Sequence, residues 1–187
     1  YAGVPFRLEE HLDRLLHSAE AMAIAAPEKE ELARQILAVS QRDVSIRYTI
    51  TGGGRCIIQR TPLDASRVGR AMRVAQMTWV NPTSLPGAVK HGCRAAWILA
   101  AQQRQVDEVL LVDSDGFILE ANRSNVFAVL DGVLCTPPLD GRQLAGVTRG
   151  ALMDAASDAG IAIEERPLPV DAKFQEFYLA CLLYTSD

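Results

Sequence analysis

Several large classes of protein are excluded by what this sequence has little of. Its 187 residues carry a formal net charge of −4 with both signs mixed along the chain, so no basic surface for nucleic acid is indicated. No apolar stretch approaches the roughly 20 residues of a membrane span, and no basic and apolar leader opens the chain. The four cysteines form no CxxC pair and the three histidines have no ligand spacing, which argues against a metal site. We therefore expect a reduced, cytoplasmic protein that binds neither nucleic acid nor a membrane.

The composition that is present is that of a folded protein with a core. Apolar residues make up 49% of the chain and charged residues 22%, which is typical of globular domains. Helical spacing of apolar residues predicts helices over 6–24 and 27–40, and β-rich runs predict strands over 44–51 and 56–59. The polar segment 61–66 contains a proline and is predicted to link two lobes. These lobes are a small N-terminal part, 1–66, and a larger C-terminal part, 67–187.

The C-terminal part is dominated by short strands. A strand is predicted over 71–80 and a helix over 91–105, with a proline-containing loop at 81–87 between them. The runs VLLVD, FILEA, NVFAVL and VLCTP, separated by turn residues that include two Asp-Gly pairs, predict an antiparallel meander. The remaining predicted elements are a helix over 146–159, a strand over 161–165, a short helix over 170–174 and a strand over 177–183. Antiparallel strands with helices packed on one side predict an α+β fold.

Lysine is scarce, which makes one position conspicuous. Of 19 basic residues only Lys29, Lys90 and Lys173 are lysines, and only Lys90 stands between an apolar stretch and an apolar helix. An apolar environment disfavours the charged amine and lowers its pKa, and a neutral amine can attack a carbonyl group. The alternative is a lysine that extends to water from the end of a strand, which on position alone is the more common case.

Three further positions could carry chemistry, each beside a plain structural alternative. Glu120 ends an apolar strand, where a buried carboxylate needs a partner, although a surface position at the end of the strand would also explain it. Gly146 with Val147 and Thr148 opens a helix and could bind an anion, or could simply be a helix start. Arg14 borders the apolar stripe of the first helix and could bind a phosphate, or could pair with Glu10.

In this order, these segments resemble the fold type IV family of pyridoxal-phosphate (PLP) enzymes. That family includes branched-chain aminotransferases, D-amino acid aminotransferases and aminodeoxychorismate lyase. The resemblance extends over nearly the whole chain and rests on HLDRLLHSA, PGAVKHG, VDEVLLVDSDGFILEANRSNVFAVLDGVLCTPPLDG and LAGVTRGALMDAASDAGIAIEER. The middle block is the most specific, because a strand ending in Glu, a turn, Asn-hydrophobic-Phe, Thr-Pro and Gly-hydrophobic-Thr-Arg follow in series.

The resemblance implies a role for each of these residues. Lys90 matches the lysine that holds the cofactor as a Schiff base and later moves the substrate's proton. Glu120 matches the acid beside the pyridine nitrogen, and Arg14, Val147 and Thr148 match groups that bind the cofactor phosphate. The family fold has two lobes with the cofactor between them, and its members are usually homodimers. The family's usual opening segment is absent, and the tail 181–187 lacks the expected polar turn, so we expect a truncated chain with a foreign end.

The substrate is open among related reactions. The resemblance favours a transaminase that moves an amino group between an amino acid and a 2-oxo acid. The segment KHGCR and the loop GGGR are nearer to aminodeoxychorismate lyase, in which Arg55 could bind a substrate carboxylate. Arg55 could equally be a solvated loop residue. A third possibility is a fragment that folds or dimerises without cofactor and without activity.

Overall fold

The computed structural model describes residues 3–64, 66, 69–79 and 85–181. The chain divides between Arg70 and Ala71 into two compact units, and each is described by itself. Residues 182–187 of the predicted tail at 181–187, and most of the predicted loop at 81–87, lie outside the described residues.

The N-terminal unit is a helix pair with a hairpin. Helix α1 (Leu8–Ala21) and helix α2 (Lys29–Val39) precede strands β1 (Val44–Ile50) and β2 (Cys56–Pro62), which pair antiparallel. Its core is built by apolar residues of both helices at helical spacing, packed against the strands: Leu12, Leu32 and Ile36 with Ile46 and Tyr48.

Strand β2 is longer than the sequence predicted. Thr61 and Pro62 pair with Ser45 and Val44, so the expected linker 61–66 begins inside the strand. A proline is tolerated there because the end of an edge strand can lack one N–H donor.

The described residues of the C-terminal unit form two four-stranded sheets and two helices. Its elements in chain order are β3 (Val74–Thr78), α3 (Ala95–Arg104), β4 (Glu108–Val112), β5 (Phe117–Ala121), β6 (Asn125–Leu130), β7 (Val133–Thr136), α4 (Val147–Asp158), β8 (Ile163–Glu165), β9 (Leu168–Pro169) and β10 (Glu176–Ala180). One sheet has the order β3-β4-β5-β9 and the other β10-β6-β7-β8. Two pairs, β3 with β4 and β7 with β8, are parallel. Helices together with antiparallel and parallel strand pairs confirm the α+β class.

Strand β4 is buried at every position because apolar clusters lie on both of its faces. Val109 and Leu111 pack towards α3, whereas Leu110 and Val112 pack into the cluster that includes β6 and β7. A strand covered on both faces has a continuous apolar run, which is what EVLLV shows after its first residue.

The prediction of one continuous meander is wrong. The hairpins β4–β5 and β6–β7 are confirmed, but β5 and β6 belong to different sheets. The turn between them folds back on β4, because Asn122 exchanges hydrogen bonds with Val109 (3.0 and 3.1 Å) and the hydroxyl of Ser124 donates to Glu108 (2.9 Å). These long-range bonds direct β6 away from its neighbour in sequence.

Two helix predictions also need correction. The predicted helix at 170–174 is a turn, and the short strand β9 before it pairs with Phe117 and Ile118. Two prolines in RPLP favour this extended segment. Helix α3 begins at Ala95 rather than at His91, because the ring Nδ1 of His91 accepts the backbone N–H of Cys93 (3.1 Å) and holds a loop.

Candidate active site

Lys90 and Glu120 line one cleft of the C-terminal unit. The other lining groups that matter below are His91, Arg94 and Trp97. Lys90 is exposed and follows the buried Val89, whose backbone N–H donates to the carbonyl of Pro86 (3.1 Å). This exposure agrees with the alternative of a lysine that extends to water, and not with the apolar environment that would lower its pKa.

A β-bulge directs Glu120 towards the face of the sheet that carries α3. Leu111 pairs with Glu120 and Val112 with Ile118, so Leu119 is the extra residue of β5. Without it, Glu120 would share the face of Ile118, which lies in the core cluster on the other side. Bulges commonly re-aim side chains in this way next to active sites.

The carboxylate of Glu120 is held by one group from a loop and one from the start of β6. Its Oε2 accepts the backbone N–H of Leu144 (3.2 Å) and lies 3.5 Å from Nδ2 of Asn125. Burial raises the pKa of Glu120 to about 7, against the opposing effects of the Leu144 N–H and of the positive charges of Lys90 and Arg94. The carboxyl group is therefore only partly ionised at neutral pH. Its pKa depends on both cations of the cleft, Lys90 and Arg94.

Arg94 is a cation of the cleft to which the sequence assigned no role. It is the N-cap residue of α3, and its Nη2 donates to the backbone carbonyl of Asn122 (2.8 Å). Its position depends on the turn after β5, which the fully buried Glu108 holds through Ser124 and the backbone N–H of Arg123. Only the contact between distant segments reveals this arrangement.

Two other residues that line the cleft with Arg94, His91 and Trp97, are aromatic. The rings of Trp79 and Trp97 meet edge to face at 5.3 Å, and the His91 ring lies 5.9 Å from Trp97. Burial, followed by the charges of Arg94 and Lys90, holds the pKa of His91 below its ordinary value. With Nδ1 accepting from Cys93, the neutral ring carries its proton on Nε2.

Val147 and Thr148 begin α4 but are not among the residues that line this cleft. Asn125 links the helix start to the cleft, since its Nδ2 donates to the Leu144 carbonyl (2.9 Å) and its side chain packs where a Cβ on Gly146 would stand. The following Arg149 is buried and pairs with Glu165 (2.8 Å), so this part of the motif is structural.

The two other predicted site residues belong to the N-terminal unit. Arg14 is partly buried, with its Nη2 3.4 Å from Nδ1 of His11, while Glu10 pairs with Arg7. Arg55 is exposed at the turn between β1 and β2. Their binding roles stay predictions.

Across the described part of the chain, no group of three or more His, Cys, Asp or Glu side chains could hold a metal ion. No helix in that same part is both long and apolar enough to cross a membrane.

Comparison with known proteins agrees with this architecture. A crystal structure of the branched-chain aminotransferase from Thermoproteus uzoniensis with norvaline superposes with a TM-score of 0.81 at 27% identity, covering 94% of this chain and 68% of that one. A hypothetical aminotransferase from Mycobacterium tuberculosis, in its alpha-ketoglutarate and PMP bound form, gives 0.80 at 25% identity, with 97% and 74% covered. The fold is that of the fold type IV aminotransferases.

The chain belongs to the amino-transferase class IV family, which it matches over residues 1–180. It is 35% identical over 196 residues to the "Putative branched-chain-amino-acid aminotransferase" of Methanocaldococcus jannaschii, covering 90% of this chain. It spans 66% of that relative's length, slightly less than two thirds.

Proposed function

We propose that this chain is part of a PLP-dependent aminotransferase that moves an amino group between an amino acid and a 2-oxo acid. The observation that carries the proposal is the cleft that Lys90 shares with the buried carboxyl group of Glu120. Family membership supports it, and the M. tuberculosis neighbour that holds PMP and alpha-ketoglutarate is consistent with it.

The groups in the cleft match the chemistry of PLP. Its aldehyde needs a primary amine, which Lys90 offers, and its ring nitrogen needs a carboxylate. Glu120 is that carboxylate, and no hydrogen-bond donor to its Oε1 is found among the described residues. A positively charged N–H at this oxygen would offset the burial that raises the pKa of Glu120. Arg14, Val147 and Thr148 are the proposed phosphate ligands.

When bound, PLP withdraws electrons from the substrate and so makes the proton on its α-carbon acidic. The Lys90 amine, exposed to the cleft, would take that proton from the α-carbon of the substrate and deliver it to the carbon of the cofactor's former aldehyde group. The Glu120 carboxylate would keep a proton on the ring nitrogen. The Leu144 N–H and the Asn125 amide orient Glu120 for this role, and the buried Val89 anchors the lysine segment.

The proposal also covers the oligomeric state and the cellular location of the protein. We propose a homodimer, supported by the family resemblance and by Ile98 and Leu99, which are 41% and 55% exposed on α3. We also propose that the protein acts in the cytoplasm, in keeping with its four free thiols.

Borohydride labelling tests the proposed site directly. The protein is mixed with PLP, its visible spectrum is recorded, and borohydride reduction is followed by peptide mapping. We expect an absorption band that reduction removes, with the label on Lys90. Lys90→Ala should lose band and label, whereas Lys173→Ala, which removes an exposed lysine that is not among the residues lining the cleft, should keep both.

A label distributed over several lysines, or a Lys90→Ala protein that keeps the band, would contradict the assignment. Glutamate formation from 2-oxoglutarate and a panel of amino acids then tests transfer. Release of pyruvate from aminodeoxychorismate without glutamate formation would replace the transaminase by a lyase.

A further inference from the structure

A second carboxyl group is fully buried behind the cleft. Glu108 is 0% exposed at the start of β4 and is not among the residues that line the cleft. The proposed chemistry of the cleft does not use it. Burying a carboxyl group is costly unless its oxygens are hydrogen-bonded, so the partners of Glu108 show what its burial holds in place.

Both oxygens of Glu108 accept hydrogen bonds from one turn. Oε1 accepts the hydroxyl of Ser124 (2.9 Å), and Oε2 accepts the backbone N–H of Arg123 (3.3 Å). The guanidinium Nε of Arg123 lies 4.0 Å from Oε1 and adds electrostatic attraction. The turn 122–124 is thus bound to the first residue of β4 by two hydrogen bonds and an ion pair.

That turn forms part of the cleft, because residues 122–125 are all among its lining residues. Nη2 of Arg94 donates to the backbone carbonyl of Asn122 (2.8 Å). At the end of the turn, Nδ2 of Asn125 lies 3.5 Å from Oε2 of Glu120. The position of the turn therefore affects both a cation of the cleft and the carboxyl group assigned to the ring nitrogen of the cofactor.

The two carboxyl groups also interact through their charges. Burial is the main cause that raises the pKa of Glu120, and the negative charge of Glu108 raises it further. The positive charges of Lys90, in the loop before α3, and of Arg94, at its N-cap, lower it. The ionisation of Glu120 therefore depends on where these neighbours lie, and Glu108 helps to place Arg94 through the turn.

We propose that Glu108 is a positioning residue of the active site, which holds the turn 122–124 and through it fixes the amide of Asn125 against the carboxyl group of Glu120. This inference rests on the proposed function for the cofactor that Glu120 would serve. Without Glu108 the turn would lose two hydrogen bonds and could shift relative to β4. Glu120 would then meet the ring nitrogen of PLP in a less favourable geometry.

Two substitutions at residue 108 separate positioning from charge. In Glu108→Gln the amide oxygen can accept the Arg123 N–H and the amide nitrogen can donate to the Ser124 hydroxyl, so only the charge is lost. Glu108→Leu keeps a side chain of similar size and loses both hydrogen bonds. Gln175→Leu is the control, because the Gln175 side chain accepts the backbone N–H of Gly132 (2.8 Å) in the turn at the other end of β6.

Hydrogen exchange of the cofactor-free protein measures the turn itself. We expect the backbone amides of residues 121–124 to exchange at least about tenfold faster in Glu108→Leu than in the wild type, because two hydrogen bonds are lost. Glu108→Gln and Gln175→Leu should keep the wild-type rate there. Exchange in helix α4 reports on general loss of stability and should change less. A wild-type rate for the turn in Glu108→Leu would overturn the proposal.

The affinity for PLP measures the consequence for the site. PLP is titrated into each folded variant, and the Kd is read from the visible absorption band. Glu108→Leu should raise the Kd at least about tenfold, as expected for a weakened hydrogen bond to a charged group. Glu108→Gln and Gln175→Leu should stay near the wild-type Kd. A purely structural role would lower the Tm of Glu108→Leu without changing the Kd, and that result would overturn the positioning role.

Ser124→Ala provides the test if Glu108→Leu does not fold. It removes one of the two hydrogen bonds and leaves Glu108 in place, so both the exchange rate of the turn and the Kd for PLP should rise, by less than in Glu108→Leu. Wild-type values of both would overturn the proposal.

The positioning role and the proposed function can fail separately. A wild type whose Lys90 carries no borohydride label refutes the function, and with it the role of Glu108 towards PLP. A labelled wild type whose Kd does not depend on residue 108 refutes only the positioning role.

Discussion

At the scale of single residues, Glu120 shows how much its surroundings change the chemistry of a side chain. Its place at the end of an apolar strand could be read from the sequence, but the alternative of a surface carboxylate could not be dismissed. The structure places it in a cleft with two cations, and burial still raises its pKa to about 7. Desolvation therefore has a larger effect on this carboxyl than attraction by Lys90 and Arg94.

This shift predicts a pH dependence of stability. Between the ordinary pKa of 4.5 and the folded value of about 7, the unfolded chain ionises at Glu120 while the folded chain keeps the proton. The contribution of Glu120 to stability is thus complete below pH 4.5 and is lost as the pH rises through 7. The loss should reach up to about 3 kcal/mol at 1.36 kcal/mol for each pKa unit.

Urea unfolding of the cofactor-free protein at pH 4.5 and pH 8 measures this effect. The side chain of the Glu120→Gln variant cannot ionise. The free energy of unfolding of the wild type should therefore fall relative to that of this variant as the pH rises from 4.5 to 8. A difference that stays constant between the two pH values would show that the carboxyl is not desolvated.

At the scale of elements, local signals and long-range contacts decided different things. The Asp-Gly turns were predicted correctly because Gly116 and Gly132 adopt positive φ values of 84° and 77°, which glycine tolerates. The separation of β5 from β6 was not predicted, because it depends on bonds between the turn at 122–124 and β4. The bulge at Leu119 is likewise invisible to an alternation pattern, although it decides which way Glu120 faces.

Two glycines of helix α4 and its N-cap, Gly150 and Gly146, should respond in opposite ways to substitution by alanine. A Cβ on Gly146 would collide with the side chain of the buried Asn125, whereas nothing stands within 4 Å of a Cβ on Gly150. Gly146→Ala should destabilise the protein by roughly 1–3 kcal/mol through overpacking. Gly150→Ala should stabilise it by roughly 0.5–1 kcal/mol, because alanine favours a helix interior.

Thermal and urea unfolding of both variants measure these changes. Because Asn125 also approaches Glu120, Gly146→Ala should weaken PLP binding as well, and Gly150→Ala should not. Equal stabilities for the two variants would mean that Asn125 moves aside without cost and does not fix the start of the helix.

At the scale of the whole molecule, the C-terminal unit has its own core. Two apolar clusters cover the faces of β4, one beside α3 and one beside β6 and β7. We therefore propose that this unit is a folding domain, close to the lobe expected from residue 67 onwards. A fragment that begins at Ala71 should show cooperative urea unfolding by circular dichroism. A fragment without a cooperative transition would mean that the N-terminal unit is needed for folding.

The sequence by itself determined the class of fold and most elements, because helix periodicity, turn chemistry and motif order are local properties, and it is the source of the predictions for Lys90 and Glu120. Only the tertiary structure decided that these two residues share a cleft, that Lys90 is exposed, and that Arg94 and Trp97 stand beside them. These facts depend on strand pairing and burial between segments far apart in the chain. One-dimensional patterns do not record such contacts, and a single extra residue in β5 changes the face to which a carboxylate points.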